Sequence, residues 1–471
     1  MNDASHSHTA TQTVLDHLRT TRAEARARLQ DFLRIPSVSA QPAHAQHCRD
    51  AAQWARAQLD AIGFATRLVE TPGKPVLLAQ HPGPGGPAAN LPHLLYYGHY
   101  DVQPAEPLDL WTSPPFDPVI VDGRNGPKIV ARGAVDDKGQ VAMWLDALRA
   151  WHVVAGGPPV RVTVVLEGEE EVGSPNLEAF LRDHSAELRA DVAIISDTNM
   201  WDADTPAITT RLRGLVYTEL RVRGPSRDLH SGLFGGVALN PINALTRILG
   251  TLHDPDGRVA IPGFYDGVEN LPADQAAEWA ALGFDETAAL AEIGLHAPAG
   301  EHGQSALSRM WARPTADING IWGGYAGAGA KTVIAAEAGA KISFRLVPGQ
   351  APTHVLAAVK AHIAAHSPPG LHCEVECLSM SPGFAVAPGN PWVDVARRVL
   401  SEEYGRPAVL IGSGGSIPVV ESLRRILGLD TLLLGFGLSD DQVHSPNEKF
   451  DLRCFDGGTS AHARLLGAIG R

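Results

Sequence analysis

Cysteine is scarce. Only Cys48, Cys373, Cys377 and Cys454 occur in 471 residues, and no two form a C-x-x-C pair. A chain of this length can bury a large core without disulfides, and so few thiols fit a reducing cytoplasm. Cys373 and Cys377 lie in the strand-like run His372–Cys377, on one face, and are expected to be buried thiols. Long apolar runs are also missing. The N-terminus, MNDASHSHTATQ, is polar and lacks the apolar core of a signal peptide. No stretch approaches the ~18 apolar residues of a spanning helix. The expectation is a soluble, cytoplasmic protein without a membrane partner. A basic surplus is missing too. The formal net charge of −13 repels a phosphate backbone and argues against a nucleic-acid partner. No repeat recurs at a fixed period.

What is present is alternation. Residues 11–33 read as one amphipathic helix. Leu94–Tyr97, Val160–Leu166 and Asp191–Ile195 read as short buried strands, and Lys138–Val154 and Asn176–Leu188 as helices. Strands alternating with helices predict an α/β sheet covered on both faces. The character changes near Thr210. Leu212–Val222 reads as strand, Asn243–Leu252 as helix, Thr332–Val347 as two strands turning at Gly339, Thr353–Ala365 as helix and His372–Leu378 as strand. That order predicts a smaller α+β domain, residues 212–385, inserted into a discontinuous domain of residues 1–211 and 386–471. The α/β pattern then resumes with a helix over Val393–Glu403, a strand over Thr431–Leu434 and a closing helix over Phe455–Ile469. Residues 254–310 match no motif, and their Trp279, Phe284 and Trp311 read as core or interface side chains.

Ionisable residues gather where predicted strands end. His99 and Asp101 follow one strand, Glu169, Glu170 and Glu171 a second, Asp197 a third and His444 a fourth, while Asp136 and Asp137 precede a helix. Each cluster alone reads as a turn, a cap or a surface histidine. Together they lie beyond the carboxyl ends of strands in an open sheet, where ligands bind. Imidazole and carboxylate without thiolate suit zinc, manganese or cobalt at a hydrolytic centre. Two ions sharing a carboxylate sit ~3.5–4 Å apart. Three carboxylates, two divalent ions and one hydroxide sum to a neutral cluster. Asp101, two residues from His99 in extended chain, faces the same way and is placed to accept the imidazole's other N–H.

Six segments then resemble a known family: YYGHYDVQP (96–104), RGAVDDKGQ (132–140), LEGEEEVGS (166–174), ISDTNMW (195–201), DLHSGLFGG (228–236) and HSPNEKF (444–450). Their order and spread over nearly the whole chain are similar to the dinuclear-zinc exopeptidases, which include carboxypeptidase G, aminoacylases and carnosinase-like dipeptidases. GGSIP (414–418) and KISFRLVP (341–348) resemble the carnosinase-like, cytosolic nonspecific dipeptidase branch. The resemblance implies a mixed-sheet catalytic domain with an inserted lid and dimerisation domain. It implies two divalent ions, zinc first, held by His99, Asp136 and Asp197 and by Asp136, Glu171 and His444, with Asp136 shared. Counting back from Gly173-Ser174 makes Glu170 the general base and leaves Glu169 without a role. The resemblance also implies a cis peptide between Asp136 and Asp137. His230 would stabilise the oxyanion from the neighbouring subunit of a homodimer, and Arg345, Gly415, Ser416 and Thr332 would bind substrate.

The implied reaction is hydrolysis of the amide bond of dipeptides or short peptides with a free C-terminal carboxylate. The alternatives are an N-acyl amino acid amidohydrolase with the same site, or a metal-binding scaffold without catalysis. The scaffold reading sits poorly with a full set of ligands and Glu170. Ser413 departs from the branch, which often carries an acid there. Gly329–Thr332 lacks the glycine that a phosphate loop needs before its lysine, and no G-x-S-x-G elbow is present.

Overall fold

The structure, a computed structural model, describes residues 2–86 and 90–470. It divides into two compact units. One comprises the chain up to Thr210 with Val386–Ile411 and the chain from Pro418. The other comprises Arg211–Ala385 and Gly412–Ile417.

The first unit is built on a large mixed sheet. Its strands run in the order Ala65–Val69, Val76–His81, Arg161–Glu167, His93–His99, Val192–Ile195, Thr431–Leu433, Ala207–Leu212 and Phe384–Ala385, with Val409–Ser413 also paired to Ala207–Leu212. The four from Arg161–Glu167 to Thr431–Leu433 are mutually parallel. His93–His99 is buried at every position, as a central parallel strand covered on both faces must be. The helices Lys138–Ala155 and Leu452–Ile469 supply much of the surrounding core, including Met143, Trp144, Leu148, Phe455 and Leu466. Glycine lets elements close up at one contact here. A Cβ on Gly139 would lie 1.9 Å from the carbonyl oxygen of Ala134, so the helix start packs directly on the loop before it.

The single helix expected over residues 11–33 is two helices, Asn2–Thr20 and Arg22–Leu33. Thr20 and Thr21 both turn their hydroxyls back onto the His17 carbonyl, at 2.8 and 3.0 Å. Such back-bonding competes with the helical ladder and bends it. A helix over Ala45–Asp60 and a small sheet of Val119–Gly123, Gly126–Val130 and Lys449–Asp451 were not foreseen. Val119–Gly123 is exposed or half-exposed throughout, so it lacks the apolar alternation that marks a strand.

The second unit is α+β. Its antiparallel sheet has the order Thr315–Gly323, Glu337–Leu346, Gly214–Arg223 and His372–Ser381. Val216, Leu220, Ile342 and Phe344 form its core with the helices Pro241–Leu249 and Pro352–His366. The turn expected at Gly339 is absent. Gly339 lies inside the unbroken strand Glu337–Leu346, opposite Arg221 on one side and Trp322 on the other. A Cβ there would come within 2.1 Å of the Trp322 indole. The glycine makes room for a ring and marks no bend. Cys373 and Cys377 are half-buried, not buried, because their strand lies at the sheet edge and has one neighbour. Trp279 and Trp311 are buried against each other, with ring centroids 5.0 Å apart. No helix among the described residues is long and apolar enough to cross a membrane.

Candidate metal centre

The parallel strands of the first unit deliver side chains to one place. His99 is the last residue of its strand, Asp197 lies two residues beyond Val192–Ile195, and Glu171 lies in a 3-10 turn, Glu170–Val172, just after Arg161–Glu167. Asp136 arrives from the loop before the helix Lys138–Ala155, and its peptide bond to Asp137 is cis. His444 comes from the loop after Thr431–Leu433, with φ +60°.

These five form two groups with one member in common: His99, Asp136 and Asp197, and Asp136, Glu171 and His444. The carboxylate of Asp136 is divided between them. Its Oδ1 lies 3.3 Å from His99 Nε2, and its Oδ2 lies 2.9 Å from His444 Nε2. His99 Nε2 is also 4.0 Å from Asp197 Oδ2, and His444 Nε2 is 3.3 Å from Glu171 Oε2. In each group the ligand atoms lie within 4.8 Å of one another.

Divalent ions fit this donor set on two observations. First, His99 Nε2 and Glu171 Oε1 are buried without a hydrogen-bond partner. A buried polar atom left unpaired is costly unless something absent from the chain completes it. His99 Nδ1 lies 3.1 Å from the Asp101 carbonyl, which can only accept, so Nδ1 carries the proton and Nε2 is free to bind a cation. Second, carboxylates crowd together out of water. Burial and the charge of Asp136 push Asp197 up to about 7. Burial also raises Glu170, and the Asp197, Glu171 and Asp136 charges add to it. His444 is held up at about 10 by its bonds to Asp136 and Glu171. Positive charge is what the cluster lacks, and cations supply it.

The turn sorts the three consecutive glutamates. Glu169 points away: its Oε2 accepts from Asn176 at 2.6 Å, and its carboxylate fills the space beside Gly73, where a Cβ would lie 1.8 Å from Oε1. Glu170 is not in either ligand group, yet it is close enough for the His99, Asp197, Glu171 and Asp136 charges to act on it. Glu171 joins His444 and also accepts from Gln103 Nε2 at 2.8 Å. Asp101 ties the turn to His99. Its carboxylate accepts the backbone N–H groups of Glu170 and Glu171, at 3.3 and 3.1 Å, while its Oδ1 stands 3.4 Å from His99 Nδ1.

Sequence reasoning passed over three supports. The buried Glu448 carboxylate accepts from Arg132 and from the backbone N–H groups of Gly133, Val135 and Asp136, at 2.9 to 3.1 Å. It therefore shapes the loop that presents Asp136, four residues after it has left His444. The second support is Asp137, whose Oδ2 accepts the His99 N–H at 3.2 Å. Gln103 is the third. All lie inside recognisable segments, but none follows a strand directly, so strand-end logic gave no signal for them.

The remaining site residues lie in the second unit. His230 is exposed and pairs with Val333 in a two-strand ribbon; Thr332, just before that ribbon's second strand, accepts the Ser231 N–H on its carbonyl at 3.0 Å. His230 Nδ1 accepts from Gly232 N–H at 3.0 Å, so its proton is on Nε2. Arg345 donates to the Ser416 hydroxyl at 3.1 Å. Gly415, exposed beside it, donates its N–H to Ser413 Oγ at 3.1 Å.

Comparison with known proteins agrees across the chain. Residues 95–468 match the profile of peptidase family M20/M25/M40. The chain is 33% identical over 391 residues to the Cys-Gly metallodipeptidase dug1 of Schizosaccharomyces pombe, covering 82% of this chain and 81% of that one. It is 31% identical over 410 residues to the Beta-Ala-His dipeptidase of Rattus norvegicus, covering 84% and 80%. Its fold superposes on the di-peptidase Dug1p of Saccharomyces cerevisiae with a TM-score of 0.82 at 30% identity, covering 98% of each chain.

Proposed function

The chain belongs to peptidase family M20/M25/M40 and is a metal-dependent hydrolase, and from that premise we propose that it cleaves the amide bond of dipeptides with a free C-terminal carboxylate. The observation that carries the reading is the divided Asp136 carboxylate with unpaired donor atoms on both sides of it. The dipeptidase names of its relatives supply the substrate class.

His99, Asp136 and Asp197 would hold one divalent ion, and Asp136, Glu171 and His444 a second. Zinc suits these nitrogen and oxygen donors, as do manganese and cobalt. Bound there, such ions supply Lewis acidity at the scissile carbonyl and make a water more acidic. Glu170 takes the proton of the attacking water and returns it to the leaving amine. Asp101 keeps the Glu170–Glu171 turn in register with His99.

In this reading the first unit is the catalytic domain, and the second is the lid and dimerisation domain. His230 Nε2–H serves as an oxyanion donor in the active site of a neighbouring subunit. The support for a homodimer is apolar surface beside it: Leu233 and Val237 are 75% and 86% exposed. Arg345, Ser416, Gly415 and Thr332 receive the substrate. The free cysteines are the support for a cytoplasmic setting.

The test is a substrate panel. Chelated enzyme is reloaded with zinc or manganese and given dipeptides, their C-terminal amides, and N-acetyl and N-succinyl amino acids. Turnover of dipeptides, lost on chelation and with KM raised by amidation, is the expected result. Preference for the acylated amino acids would transfer the chain to the deacylases.

A further inference from the structure

Two arginines of the second unit converge on one loop. Arg213 sits at the break between the strands Ala207–Leu212 and Gly214–Arg223. Three bonds fasten it to Gly412–Ile417: its N–H donates to the Ser413 carbonyl at 3.3 Å, its Nε donates to the Gly414 carbonyl at 3.1 Å, and its own carbonyl accepts the Ser416 hydroxyl at 2.7 Å. Arg345, opposite Leu215 in the neighbouring strand, donates to that same hydroxyl at 3.1 Å. Ser416 therefore touches both residues. Gly414 lets the Arg213 guanidinium lie against bare backbone, since a Cβ there would stand 3.0 Å from Nη2.

The pair has no counter-charge of its own. Gly412–Ile417 contains no acid, and the Ser413 hydroxyl is turned back to the Gly415 N–H. Among the described residues no carboxylate lies within ion-pairing distance of either guanidinium. Asp317 influences both from farther off, and its carboxylate is exposed and engaged by the Thr315 hydroxyl at 3.0 Å. Burial and the Arg345 charge push Arg213 down to about 10. Two partly desolvated cations held on one loop and close enough for one charge to act on the other are relieved by anions. A single terminal carboxylate engages one guanidinium through a bidentate pair and leaves the other unpaired.

We propose that Arg213 and Arg345 form a two-guanidinium receptor that selects substrates whose C-terminal residue carries a second carboxylate, aspartate or glutamate. The proposal deepens the dipeptidase reading and rests on it for the word substrate. The Arg213 bond to Gly414 uses one of the five N–H donors of a guanidinium and leaves others for the side-chain carboxylate.

The test compares near-isosteric pairs that differ in charge, alanyl-glutamate with alanyl-glutamine and alanyl-aspartate with alanyl-asparagine, on the metal-loaded enzyme. The expected result is kcat/KM higher for the acid by about tenfold or more. Arg213→Gln brings the ratio towards one, and so does Ser413→Glu, which places an acid in the loop. Because a ratio is read, a general loosening of the loop lowers both substrates and leaves the ratio unmoved. Equal rates for acid and amide, or a ratio that survives Arg213→Gln, would overturn the receptor. If no dipeptide is turned over, the dipeptidase reading fails instead. Calorimetry with free L-glutamate and L-glutamine then decides the receptor by itself: tighter glutamate supports it, and equal affinity rejects it.

Discussion

The first unit gathers negative charge beyond the ends of the parallel strands of a mixed sheet; the second gathers positive charge on a loop beside an antiparallel one. They are built in different ways. Three of the ligand segments of the first unit are held by other buried carboxylates. Asp101 accepts from the Glu170–Glu171 turn, Glu448 accepts from the Asp136 loop, and Asp137 accepts from the end of the His99 strand. In the second unit, Arg345 is held by a serine hydroxyl, and both it and Arg213 are only half-buried. The difference follows from what each binds. A metal ion stays, so its ligands gain from being fixed in advance. A substrate must enter and leave, so its receptor keeps donors free.

The comparison can be broken first at Glu170. Glu170→Gln keeps every metal ligand and is expected to lower kcat by at least about 100-fold, the usual contribution of a general base, with metal content by atomic emission unchanged. A variant that turns over at the normal rate would remove Glu170 from the chemistry. Smaller, and sharper for the contrast between units, is Glu448→Gln. An amide placed against four N–H donors disturbs the Asp136 loop, and ion affinity by calorimetry is expected to weaken about 10- to 100-fold. Arg345→Gln is the control: KM rises while ion affinity holds. An unchanged ion affinity in Glu448→Gln would mean that the loop keeps its shape without that carboxylate. The smallest effect belongs to Gly339→Ala. Its methyl group meets the Trp322 ring and the Leu220 carbonyl, and a loss of about 1–3 kcal/mol is expected in chemical denaturation. A change in ion binding there would show that the two units are coupled.

Much of the fold was legible because burial on both faces writes itself as continuous apolar runs. Leu94–Tyr97 announces the strand His93–His99 in this way. What was illegible depended on partners distant in sequence. Gly339 looks like a turn until Trp322 is placed across the strand from it. Residues 11–33 look like one helix because apolar spacing continues through Thr20 and Thr21, and only their hydroxyl bonds to His17 show the break. The supports at Glu448 and Gln103 were illegible for the same reason: Glu448 and the loop it organises are more than 300 residues apart.

The sequence by itself determined which residue types stand beyond the strand ends, and hence a chemistry of imidazole, carboxylate and divalent cations. That follows from local patterning, since strand periodicity and the position of each acid or histidine can be read along the chain. Only the tertiary structure decided that the two oxygens of Asp136 face different histidines, that Glu169 turns to Asn176 while Glu171 turns to His444, and that Arg213 shares Ser416 with Arg345. Those are directions of side chains between segments far apart in the chain, and directions are set by packing, which local sequence does not encode.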